Sequence, residues 1–155
     1  MPIDITEART PALWRQLAAI LYDALLVFAV LVVGAALVMI PLGMLGHELA
    51  PGNPWFRLYL LALIVAFYSY FWMRGGQTLG MRAWRIRLVR ADGGAIGLRD
   101  ALLRLLAATL SWGACGLGFL WVLVDPGGLS WHDRLSSTRL VLLQKRGTEK
   151  RPRRT

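Results

Sequence analysis

From Leu17 to Leu45 the chain carries one charged residue, Asp23. About 20 helical residues cross the ~30 Å hydrocarbon core of a bilayer, so an apolar run of this length reads as a retained membrane span. The acid inside it needs an explanation. A carboxylate at membrane depth costs ~2.5–3.5 kcal/mol on insertion scales, and it faces a partner or a wet cavity. Composition agrees with this reading. The chain is 56% hydrophobic yet carries a formal net charge of +9, with mean hydropathy +0.49. That pairing fits an integral membrane protein with basic aqueous segments, not a soluble domain. The 155 residues leave room for one compact unit. The lone cysteine, Cys115, excludes an intrachain disulfide and a cysteine metal cluster. The first ten residues set Asp4 and Glu7 against Arg9, so no basic leader precedes the apolar run and a signal peptide is not expected.

Trp14 and Arg15 stand at the start of the first span, which is expected to end near Met39, before Pro41, Gly43 and Gly46. A loop over 47–54 leads to a second span, Leu58 to Met73, flanked by aromatics at both ends as interfacial belts are. Arg74 closes it. Residues 75–104 are basic. Within them residues 85–90 alternate polar and apolar, which predicts a strand, and Asp92-Gly93-Gly94 predicts a tight turn and a small hairpin. A third uncharged run, Leu105 to Val124, has a glycine-rich centre at 112–118. It either spans once or turns back as a re-entrant hairpin. Residues 138–143 form a second strand-like run, and the basic residues 145–155 are expected to be a disordered tail. The fold class is therefore an all-α membrane protein. It has two transmembrane helices, a third hydrophobic segment, and a small cytoplasmic β-hairpin or sheet.

The loop between the first two spans is nearly neutral and the segment after Arg74 is strongly basic. The positive-inside rule then puts the N-terminus and the basic segment in the cytoplasm. A third segment that turns back keeps the basic tail there too. It also brings runs 85–90 and 138–143 to one side, where they can pair.

Five ordered pieces carry a resemblance. They are residues 14–23, with Trp14-Arg15-Gln16 and Asp23; Gly75-Gly76-Gln77-Thr78-Leu79-Gly80-Met81-Arg82; residues 85–89 with Asp92-Gly93-Gly94; Ala101-Leu102-Leu103-Arg104; and residues 132–141, beginning His132-Asp133-Arg134-Leu135-Ser136-Ser137. Together they resemble the RDD family of bacterial membrane proteins, named for an arginine and two aspartates. The resemblance covers residues 11–144 and implies an inner-membrane, multi-pass location. Arg15 matches the family arginine, although relatives often carry arginine at the position of Gln16. Asp23 and Asp133 match the two aspartates. The family is described as of unknown function, with transport suggested.

The candidate polar cluster is Arg15, Asp23, Arg104, Asp133 and Arg134, and the candidate loop is Gly76, Gln77, Thr78 and Gly80. Arg15 and Asp23 are eight residues apart, ~80° round a helix, so they cannot pair within it. Arg74 and Arg104 are the cationic candidates for Asp23. Asp133 reads as a hydrogen-bonding or salt-bridging hub to a cytoplasmic arginine. The glycine-bounded loop lacks the Gly-Lys-Ser/Thr ending of a phosphate loop and reads as a helix exit turn or a ligand loop. No nucleophile motif, paired acids or metal spacing accompanies His132 or His47, so neither an enzyme nor a bound metal or cofactor is expected. The arginines at 82, 85, 87 and 90 beside a span favour anionic lipid head groups over nucleic acid. Two functions compete: transport of an ion or small solute, which needs an oligomer because so few segments enclose a path, or a non-enzymatic scaffold or assembly factor.

Overall fold

The computed structural model describes residues 9–143; the basic tail at 145–155 lies outside them. Two helices are long and apolar enough to cross a membrane, α1 (Leu13–Met44) and α2 (Pro54–Gly75). At 1.5 Å per residue they measure about 48 and 33 Å. They pack antiparallel, with the Tyr59 hydroxyl donating to the Gly34 carbonyl at 3.1 Å. Most of their surface is uncovered, and Leu25, Phe28, Leu37 and Leu61 point outwards as lipid-facing side chains do.

α1 runs further than the expected end near Met39. Pro41 lies inside the helix, but so close to its end that the missing N–H breaks little. The amides of Leu45 and Gly46 close the last turn on the carbonyls of Pro41, Leu42 and Gly43. The next loop starts α2 chemically. The Asn53 side chain accepts from the Trp55 and Phe56 amides, and Pro54 fills the first helical position.

Gly76 ends α2 in the left-handed region. A five-residue helix, α3 (Leu79–Ala83), follows, then strand β1 (Ile86–Arg90). Arg85 has φ 56°, outside extended geometry, so the strand begins one residue later than the alternation predicts. β1 does not fold back locally. The Gly94 amide donates to the Asp92 carboxylate and the turn leads into α4 (Leu98–Gly113) rather than into a second strand of a hairpin. The partner of β1 is the distant run, β2 (Thr138–Leu142), antiparallel in the register Ile86↔Leu142 to Arg90↔Thr138.

α4 begins seven residues before the expected Leu105, and the third apolar run is a bent helix pair, the geometry of a broken span or of a re-entrant loop. Cys115 and Gly116, at φ 53° and 78°, turn the chain by 106° into α5 (Leu117–Leu120) and a single 3-10 turn, Trp121–Leu123. A last short helix, α6 (Trp131–Leu135), packs back on α4 and feeds β2. The Leu142 amide donates to the Arg9 carbonyl at 2.9 Å, and the Leu143 amide to Arg85 at 2.8 Å. The approach to α1, the exit from α2 and the end of β2 therefore meet at one end of the bundle. The buried core lies at that end, where Ala19, Trp72, Met81, Ile86, Leu88, Ile96 and Ala101 pack together.

Candidate functional site

Asp23 lies one turn beyond Ala19 on α1 and is 4% exposed. Residues 24–44 carry no charge. They make about 31 Å of helix, a full hydrocarbon thickness, so the carboxylate stands at one edge of that layer. Its partners are not cations. Oδ2 accepts from the Thr78 hydroxyl at 2.5 Å and Oδ1 from the Gly80 amide at 2.9 Å. Arg74 instead stacks over Tyr70, and Arg104 pairs elsewhere. The expectation of a cationic partner for Asp23 is thus corrected. The first turn of α3 supplies neutral donors that would otherwise be unpaired.

This clamp explains the glycine-bounded loop. Gly76 turns the chain, and the Gln77 amide group donates to the Ile86 carbonyl at 2.7 Å. Thr78 caps α3, its hydroxyl oxygen accepting from the Met81 amide while its O–H donates to the Asp23 carboxylate. A Cβ at Gly80 would stand 2.5 Å from the Ala19 carbonyl and 2.8 Å from Asp23 Oδ1. The first contact is helix backbone, which cannot yield like a flexible side chain, and the second is a carboxylate already held by Thr78 and Gly80. Gly80→Ala is therefore expected to destabilise the protein by about 1–3 kcal/mol, as overpacking does, read as a lower melting temperature in detergent.

The second centre is the ion pair Arg104–Asp133. Arg104 Nη1 donates to Asp133 Oδ1 at 2.6 Å and to the Thr138 hydroxyl at 2.7 Å. The other Asp133 oxygen accepts from the amide and hydroxyl of Ser130, at 3.0 and 2.5 Å, closing a capping box at the start of α6. Thr138 in turn contacts Ser136, whose hydroxyl donates to the His132 carbonyl. Burial works against the Asp133 charge, but Arg104, His132 and the Ser130 donors together hold its carboxyl below the usual range. Arg134 points away from this network. It is largely exposed and pairs with the buried Asp125, which also accepts from the Leu129 and Gly127 amides. The Leu129 amide first, and then Arg134 among others, lowers the Asp125 carboxyl.

His132 is buried against Phe119, with no hydrogen-bond partner for Nδ1. Burial, helped by nearby Arg104, pushes its pKa down to about 3 despite Asp133. In the unfolded chain the ring titrates near 6.5, so the unfolded state binds the extra proton first as pH falls. Stability is therefore fully present above pH ~6.5 and declines towards pH 3. The loss at pH 5 is expected to be on the order of 2 kcal/mol. Melting curves at pH 8 and pH 5 check this, and His132→Phe should flatten the difference.

Between the two centres lies a cavity of about 270 Å³. Asp23 and Gln16 line it from α1, Tyr68 and Trp72 from α2, Arg104 and Trp112 from α4. Of the expected polar cluster, Asp23 and Arg104 reach this space, and Asp133 stands behind Arg104. Arg15 does not. It is half-exposed over the Trp14 ring, 5.1 Å from its centre, while its neighbour Gln16 is buried and donates to the Pro11 carbonyl. Gln16 was legible in principle. Seven residues before Asp23 is two helical turns, which puts both on one face.

Two apolar helices that bury little, joined at one end by a polar core and a small sheet, define an integral membrane protein. A family model described as the RDD family matches residues 10–137, and the chain belongs to that family of membrane proteins. No curated protein and no solved structure matches the chain.

Proposed function

We propose that this chain is a non-enzymatic protein of the bacterial inner membrane that moves an ion or small solute as an oligomer. The observation that carries this reading is Asp23. It is a carboxylate at the edge of the hydrocarbon layer, lining a cavity and unpaired with any cation among the described residues. An acid placed for structure alone is better served by a sealed ion pair, as Asp133 is. A single copy has two membrane-length helices and one bent pair, too few to wall a path. The test is flux of sodium, potassium, protons and small amines into vesicles holding the purified protein. Absence of flux for all of them, with the protein folded and inserted, would sink the transport reading.

The end of the bundle that carries the sheet also carries Arg82, Arg85, Arg87, Arg90 and Arg99. By the positive-inside rule this end faces the cytoplasm, and both termini with it. Anionic head groups are its natural partners, at about 1 kcal/mol per basic side chain near the surface. Reporters fused to the C-terminus should be active in the cytoplasm and inactive in the periplasm; the reverse pattern would overturn this orientation. A scaffold role is the second reading. It is favoured by the closed network of Arg104, Asp133, Ser130, Ser136 and Thr138, which spends its polar groups on the fold.

A further inference from the structure

The cavity walls define a narrower ligand than an ion or solute in general. We propose that the cavity binds a small organic monocation, an ammonium group on a few carbons, with Asp23 as its counter-ion and aromatic rings as its walls. This rests on the reading above that the cargo sits in this cavity. Its charge comes first. Asp23 and Arg104 are the fully ionic side chains on the wall. Arg104 is balanced by Asp133 at 2.6 Å. Asp23 has only neutral donors, since Thr78 and Gly80 are its partners and both its oxygens accept. One negative charge is left over, which matches one positive charge on a ligand.

The walls exclude a bare metal ion as the best fit. Hard cations take several oxygen ligands. Here Tyr68, Trp72, Trp112 and Phe119 present rings instead, and among the described residues no three His, Cys, Asp or Glu side chains converge. Ring faces attract organic cations. The protein already uses this wall so, with the Arg104 guanidinium 5.7 Å from the centre of the Trp72 ring. The volume of about 270 Å³ equals roughly nine waters at ~30 Å³ each, far more than one ion fills. The ammonium can arrive as a free solute or as a lipid head group.

The test titrates the intact protein in detergent with choline chloride, read by the fluorescence of the cavity tryptophans. A saturable change is expected. The neutral isostere 3,3-dimethylbutan-1-ol should give none at the same concentrations. Asp23→Asn should weaken choline at least tenfold. Asp23→Glu, which keeps the charge, should stay within a few fold. Trp112→Ala, at a largely exposed position on the wall, should weaken it about two- to fivefold. Equal binding of the alcohol, saturation by sodium chloride instead of choline, or wild-type binding by Asp23→Asn would each overturn the proposal. Sodium saturation would overturn it while leaving ion transport standing. Choline binding without flux would instead sink transport and keep the site. Displacement of choline by an ethanolamine lipid assigns the ammonium to a head group, and failure to displace assigns it to a free solute.

Discussion

Arg104→Met is expected to cost about 3–5 kcal/mol and to remove most of the protein from the membrane fraction. The change leaves Asp133 buried without its ion-pair partner, with the Ser130 donors and nearby His132 left to answer it. It also removes the donor that joins Thr138 to α4, loosening the start of β2 from the helix behind it. The loss is a property of the broken pair rather than of the charge itself. Arg104→Met combined with Asp133→Leu should therefore recover much of the stability, because two apolar side chains leave no charge stranded. Thermal unfolding of both variants in detergent checks this. A single variant that melts like the parent would show that the pair carries little.

Asp23→Asn is expected to separate function from stability. The amide keeps the shape of the carboxylate. It turns one of the two acceptors into a donor that faces the Thr78 hydroxyl or the Gly80 amide. The cost is that of one or two compromised neutral hydrogen bonds, about 1–3 kcal/mol, not the larger penalty of a stranded cation. Flux, on the transport reading, should vanish, since an amide neither binds a counter-charge nor titrates. Lost flux with a modest fall in melting temperature supports transport. Unchanged flux with the same fall places Asp23 in the fold alone.

The two spans were legible because an uncharged run of hydrocarbon thickness has few other fates. β1 was legible from its alternation and β2 as a strand-like run, and the two pair with each other instead of β1 forming the local hairpin that Asp92-Gly93-Gly94 suggests. The partner of Asp23 was not legible. It is a backbone N–H and a hydroxyl, neither of which leaves a charge signature in the sequence. Arg104 and Asp133 could be named but not paired, since residues 105–132 stand between them. The seven-residue spacing of Gln16 and Asp23 and the Ser130-to-Asp133 capping signature were both written in the chain. The bend at 114–116 announced itself only as glycine; its 106° angle depends on how α5 packs against α4.

The Thr78–Gly80 clamp has a consequence for the order of assembly on the ribosome. Asp23 emerges long before its two donors, which appear only after α2 has been made. α1 must therefore enter the bilayer with a naked carboxylate. Its place at the edge of the hydrocarbon layer lets that group stay hydrated until α3 arrives and takes over from water. The sheet comes last, because β1 waits for β2 through the whole of α4 to α6. A chain halted before Thr138 would hold both spans, the clamp and the Arg104–Asp133 pair but leave Arg104 without the Thr138 hydroxyl and β1 without its partner strand, an unfinished state exposed to membrane quality control.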